Sequence, residues 1–100
     1  MTLLGDRYTA QQMSDMGLVN FVVPGAKLDA ECDKLSARLA SGPTHVYGMG
    51  KKLMYRSLEN EFESQLQLEA ECFADCAKRG DYREGVAAFV EKRKANFTGN

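Results

Sequence analysis

Only one stretch of this chain, Leu18-Val19-Asn20-Phe21-Val22-Val23, reads as a β-strand, and no second stretch is there to pair with it. A strand without a neighbour leaves its backbone N–H and C=O groups unpaired. The expected fold is therefore mainly α, about five helices plus that one short strand, which Pro24-Gly25 closes.

The helices are signalled locally. Thr9-Ala10-Gln11-Gln12 has the form of a capping box, with Tyr8 and Met13 at the hydrophobic-staple positions. A short helix is predicted from Ala10 to about Met16, stopped by Gly17 in the left-handed conformation. From about Leu28 the period is helical: Leu28, Cys32, Leu35 and Leu39 form one stripe, and Gly42-Pro43 ends it. Thr44 is expected to cap a third helix carrying Val46, Met49 and Leu53. Gly48 and Gly50 inside it cost about 1 kcal/mol each against Ala, which predicts close backbone packing or an interruption there. Asn60-Glu61-Phe62-Glu63 reads as a second capping box, opening the longest helix with Phe62, Leu66, Ala70, Phe73 and Ala77 on one face and Gly80 as its stop. Asp81-Tyr82-Arg83-Glu84 is expected to cap the last helix, with Val86, Phe89 and Val90 as its inner face and Lys92, Arg93 and Lys94 as its basic end.

Composition removes whole classes of function. One hundred residues make one small domain at most, or a piece of a larger one, and 13 Lys and Arg against 14 Asp and Glu give a net charge of -1. No cationic field exists to hold nucleic acid or an anionic membrane, so neither is an expected partner. No apolar run approaches the roughly 20 residues of a membrane span. The opening Met1-Thr2-Leu3-Leu4-Gly5-Asp6-Arg7 meets charge too early for a signal peptide. Three Cys without a CxxC pair fit reduced thiols in a cytoplasmic compartment.

Few residues invite chemistry. Cys72 and Cys76 stand four apart on one helix and Cys32 on another, but no fourth soft ligand accompanies them and His45 lies at an unrelated spacing. No metal site is predicted, and the three thiols are read as buried structural residues. Glu59, Glu61 and Glu63 are helix-start charges, and Glu69 stands where it could meet a cation across a helix interface. Nothing nearby would raise a carboxyl pKa, so no catalytic residue is assigned. Phe89 and Lys92, three apart on one helix, offer an aromatic surface beside an ammonium, the pair that a nucleotide base and its phosphate would use. The same types also fit a packed Phe beside a solvated basic helix end, and spacing leaves both readings open.

Taken in order, three segments resemble the C-terminal part of the enoyl-CoA hydratase/isomerase (crotonase) family. Leu4-Gly5-Asp6-Arg7-Tyr8-Thr9-Ala10-Gln11-Gln12 is similar to the family's L-T-G-x-R-x-S-A-x-E-A, although Leu4 replaces the usual Thr and Met13 the usual Ala. Gly17-Leu18-Val19-Asn20 and Val22-Val23-Pro24 follow its x-G-L-V-N and V-V-P. Glu84-Gly85-Val86-Ala87-Ala88-Phe89-Val90-Glu91-Lys92-Arg93 is similar to its ending E-G-x-x-A-F-x-E-K-R and runs on into Lys94-Ala95-Asn96-Phe97.

The resemblance implies that residues 1–100 are equivalent to the C-terminal helical, trimerisation domain of a crotonase-fold protein, without the N-terminal ββα-spiral core that carries the oxyanion hole and catalytic carboxylates. It implies a chain that is inactive alone and assembles with itself as a dimer or trimer. It also implies that Phe89 and Lys92 meet the adenine and 3′-phosphate of CoA. The parent would bind a CoA thioester as substrate and need no other cofactor; its location would be the cytoplasm, or the mitochondrial matrix in a eukaryote. A stand-alone helical oligomerisation module without catalysis is the alternative expectation.

Overall fold

The computed structural model describes residues 3–100; Met1 and Thr2, which open the segment read above against a signal peptide, lie outside the described residues. Five α-helices follow one another: α1 (Ala10–Asp15), α2 (Leu28–Ala40), α3 (Thr44–Arg56), α4 (Phe62–Ala77) and α5 (Gly80–Glu91), with a 3-10 turn at Gly25–Lys27 leading into α2. The fold is mainly α, as expected. The chain divides into two units, one ending at Lys34 and the other running Leu35–Asn100.

In the first unit, α1 is closed by local hydrogen bonds at both ends. The Gln12 N–H donates to Thr9 Oγ1 (3.2 Å) and the Thr9 N–H to Gln12 Oε1 (2.8 Å), the reciprocal capping box its sequence predicts. At the other end Gly17 adopts φ +74, and the N–H groups of Gly17 and Leu18 donate to the carbonyls of Ser14 and Met13, both at 2.9 Å. The predicted strand that follows does not form: Leu18-Val19-Asn20 bends and Phe21-Val22-Val23 is irregular and mostly exposed. Among the described residues no strand exists for it to pair with, so β-propensity alone cannot hold it.

In the second unit, α3 and α4 run antiparallel. His45 near the start of α3 meets Asp75 near the end of α4, while Gln65 Nε2 at the start of α4 donates to the Leu53 carbonyl (3.3 Å). α4 continues against α5, where the Phe73 and Tyr82 rings meet edge to face with centroids 6.1 Å apart. α3 is uninterrupted through Gly48 and Gly50, and a Cβ at either glycine would meet nothing within 4 Å, so neither expected reason for those glycines applies.

Three predicted caps are corrected. α3 starts one residue after Pro43, so Thr44 is its first helical residue and no side chain caps it. The N-cap of α4 is Glu61, one residue later than predicted, without a side-chain bond, and Asn60 Nδ2 donates to Gln65 Oε1 (3.0 Å). Gly80 does not stop α4: Lys78 closes that helix and Gly80 opens α5 behind Arg79.

The buried faces also differ from the predicted stripes. On α4 the buried residue is Cys72, while Phe62, Leu66 and Phe73 stay exposed. On α5 the buried residues are Asp81 and Ala88, and Val86, Phe89 and Val90 face outward. On α5 the tail of the chain, residues 93–100, hydrogen-bonds to the Asp81 and Glu84 side. Cys72 and Ala88 are the only buried apolar residues among those described, and no residue of α2 is buried.

Candidate functional site

The end of α5 carries Phe89 and Lys92, the expected ligand-binding residues, and the tail that returns along the helix adds groups the sequence reading missed. α5 is terminated at Lys92, whose backbone turns left-handed (φ 53), the one non-glycine residue of positive φ among those described. The Arg93 N–H then donates to the Ala88 carbonyl (3.0 Å) and the Lys92 N–H to that of Phe89 (3.3 Å). A lysine here suits the negative end of the helix dipole. The left-handed turn, however, takes Lys92 out of the helical period that would set it on one face with Phe89.

Arg93 is fully engaged. Its Nη1 and Nη2 donate to Glu84 Oε1 (2.6 Å) and Oε2 (2.9 Å), and its Nε donates to Glu91 Oε2 (2.6 Å). Glu84 Oε1 also accepts the Asn96 N–H at 2.7 Å. The Arg93 guanidinium first, and that N–H second, hold the Glu84 carboxyl down at about 2. In return Glu84, then Glu91, raise the guanidinium further above its ordinary value.

One turn nearer the start of α5, buried Asp81 holds the last residues. Its Oδ1 accepts the Thr98 N–H (2.8 Å) and hydroxyl (3.3 Å), and its Oδ2 accepts the Gly99 N–H (2.9 Å). Asp81 and Glu84 were expected to cap the helix; they fasten the tail instead. Nothing in their own segment signals this, because the partners stand 9 to 18 residues downstream.

The fastened tail places Phe97 against Gly85, its ring carbon 3.5 Å from where a Cβ would stand. Phe97 and Phe89 then line one apolar groove of about 310 Å³ with Val46, Tyr82 and Val86. Phe89 is 85% exposed on that groove, so its ring face is open to a ligand. Lys92 is exposed and does not line the groove.

The other candidates are dispersed. His45 Nε2 lies 2.5 Å from Asp75 Oδ2, and Arg79 Nη2 approaches the same oxygen at 3.5 Å. The His45 hydrogen bond is the main cause that lowers the Asp75 carboxyl pKa, and Arg79 adds to it. Glu69 is exposed and takes Gln65 as its partner rather than a cation. Of the three thiols expected to be buried only Cys72 is; Cys76 is half-buried and Cys32 exposed, since α2 has no buried face. Among the described residues no three His, Cys, Asp or Glu side chains gather to hold a metal ion, and no helix is long and apolar enough to cross a membrane.

The family model described as enoyl-CoA hydratase/isomerase matches residues 1–100. The 1,2-epoxyphenylacetyl-CoA isomerase of Escherichia coli is 34% identical over 99% of this chain and 38% of its own length. The mitochondrial enoyl-CoA hydratase of Pongo abelii is 35% identical over 97% of this chain and 33% of its own. A solved enoyl-CoA hydratase subunit from Geobacillus kaustophilus superposes with a TM-score of 0.89 at 32% identity, over 96% of this chain and 37% of that one. The chain thus spans little more than a third of the length of the relatives it matches.

Proposed function

This chain belongs to the enoyl-CoA hydratase/isomerase family, and we propose that it is the C-terminal helical domain of an acyl-CoA enzyme of that family. Its work is to assemble copies and to supply the CoA-adenosine end of the acyl-CoA site through Phe89 and Lys92. The parent reaction is hydration or double-bond isomerisation of an enoyl-CoA thioester, whose oxyanion is stabilised by donors outside these residues. The compartment is the cytoplasm, or the mitochondrial matrix in a eukaryotic parent.

The observation that carries this reading is the open face of Phe89 above an apolar groove, with Lys92 exposed at the same helix end. A purine can stack on the ring while a phosphate meets the cation. The exposed Phe62, Phe73 and Val90 support assembly, because apolar surface of this extent is normally covered by another protein surface. The same exposure favours the second reading, an oligomerisation module without catalysis.

Titration with CoA and with dephospho-CoA tests the proposal. Lys92→Ala should weaken CoA binding about 3- to 10-fold and leave dephospho-CoA unchanged, as for one partly solvated charged contact. Phe89→Leu should weaken both ligands equally. Binding of neither ligand by a chain that still assembles would establish the second reading. Crotonyl-CoA should not be hydrated by residues 1–100 alone, because the oxyanion donors of the proposed parent reaction lie outside them. Turnover that scales with purified chain would overturn that expectation.

A further inference from the structure

Three sulfur side chains line one cavity of the second unit. Cys72 and Cys76 of α4 and Met49 of α3 share an apolar space of about 340 Å³. Both thiols are free; Cys72 is buried and Cys76 half-buried. Gly50 of α3 lines the same cavity, and a Cβ there would meet nothing within 4 Å. That wall is left open at the cost of a glycine inside a helix.

The spacing decides what the two thiols can do. Residues four apart on a helix hold their Cβ atoms about 5–6 Å apart. A disulfide needs roughly 3.5–4.5 Å, so Cys72 and Cys76 do not bond to each other while α4 stays helical. A single two-coordinate metal ion fits the separation, because sulfur–metal bonds of about 2.3 Å set two collinear sulfurs roughly 4.6 Å apart. Zinc is not the match: a structural zinc takes four ligands, and among the described residues no three His, Cys, Asp or Glu side chains gather. Thiolates with a thioether are instead the soft set that selects copper(I).

We propose that Cys72 and Cys76, with Met49 as a weaker third ligand, form a binding site for a soft monovalent cation of the copper(I) type. On binding, each thiol releases its proton to solvent and each cysteine sulfur forms one bond to the ion. The copper stays Cu(I), and no electron is transferred. Glu69, which also lines the cavity, adds negative charge that favours a cation. Met49 comes from α3, so an occupied site ties α3 to α4 and stabilises the fold.

Anaerobic titration of the reduced 100-residue chain with Cu(I), in competition with bicinchoninate, tests the site. One ion per chain is expected, and the Tm should rise with copper. Cys76→Ser should lower the affinity at least about 100-fold, since even the outer partners of a metal ligand are worth about 10- to 100-fold. Cys72→Ser should do the same, and Met49→Leu should lower it less. Cys32→Ser, whose exposed thiol belongs to the first unit, should leave it unchanged. Circular dichroism of the copper-free variants separates lost binding from lost folding, and half-buried Cys76 keeps the test decisive if Cys72→Ser unfolds. Full affinity in Cys76→Ser, binding that vanishes in Cys32→Ser, or one ion per two chains would overturn the proposal.

Discussion

Glu84 and Arg93, nine residues apart, meet fork to fork at 2.6 and 2.9 Å and close the end of α5 onto the tail that follows it. The pair is partly exposed, with side-chain exposures of 41% for Arg93 and 25% for Glu84. Its consequence is geometric: the chain turns at Lys92 and comes back along the helix instead of leaving it.

The pH dependence of that pair has a definite sign. The folded Glu84 carboxyl is held at about 2 against an ordinary 4.5, so it binds its proton more weakly when folded. Its contribution to stability is present in full above about 4.5 and is lost as the pH falls through 2. Urea unfolding of the wild-type chain and Glu84→Gln should show a constant difference at neutral pH that shrinks between those two values. A difference unchanged across that window would refute the assignment.

Asp81 should be the most sensitive polar residue of α5. It is 4% exposed and accepts the backbone N–H groups of Thr98 and Gly99. Asp81→Ala leaves those donors without a partner and should destabilise the chain by about 1–3 kcal/mol. Hydrogen exchange at the Thr98 and Gly99 amides should accelerate with it. Unchanged protection at both would show that the tail is held by something else.

The glycines of α3 and the turn before it should respond oppositely to alanine. Gly48 and Gly50 lie in a helix with open space at the Cβ position, so each substitution should stabilise the chain by roughly 0.5–1 kcal/mol. At buried Gly42 the new Cβ would lie 2.7 Å from Tyr47 Cζ, and the ring must shift, at a cost of about 1 kcal/mol or more. A Tyr47→Ala background should abolish that cost. Thermal melts of the single and double variants measure all three effects.

Self-association should follow the exposed apolar residues. Phe62 and Val90 are 71% and 72% exposed, and burial against a second copy would remove that surface from water. Sedimentation equilibrium should give a dimer or trimer, and Phe62→Asp with Val90→Asp should lower the mass while helical content stays constant. A monomeric wild-type chain at high micromolar concentration would refute this prediction.

What the sequence determined by itself is what closes over a few residues. Thr9, Gln12 and Gly17 begin and end α1 through bonds between residues three to five apart, so adjacent letters carried the whole instruction. The helical bodies of α2 to α5 were legible from their spacing for the same reason, and the ordered motifs from Leu4 to Arg93 carried the family. Tertiary structure decided the rest. Leu18-Val19-Asn20-Phe21-Val22-Val23 has strand composition, but a strand is a relation between two segments and the second is missing among the described residues. Periodicity located the apolar stripes of α4 and α5 without saying what would lie against them; Cys72 and Ala88 are buried while Phe73 and Phe89 stay exposed. Asp81 and Glu84 look like capping residues because caps are local, yet each finds tail donors at long range. A carboxylate takes the best-placed donors available, and only the folded chain brings Arg93, Asn96, Thr98 and Gly99 within reach of α5.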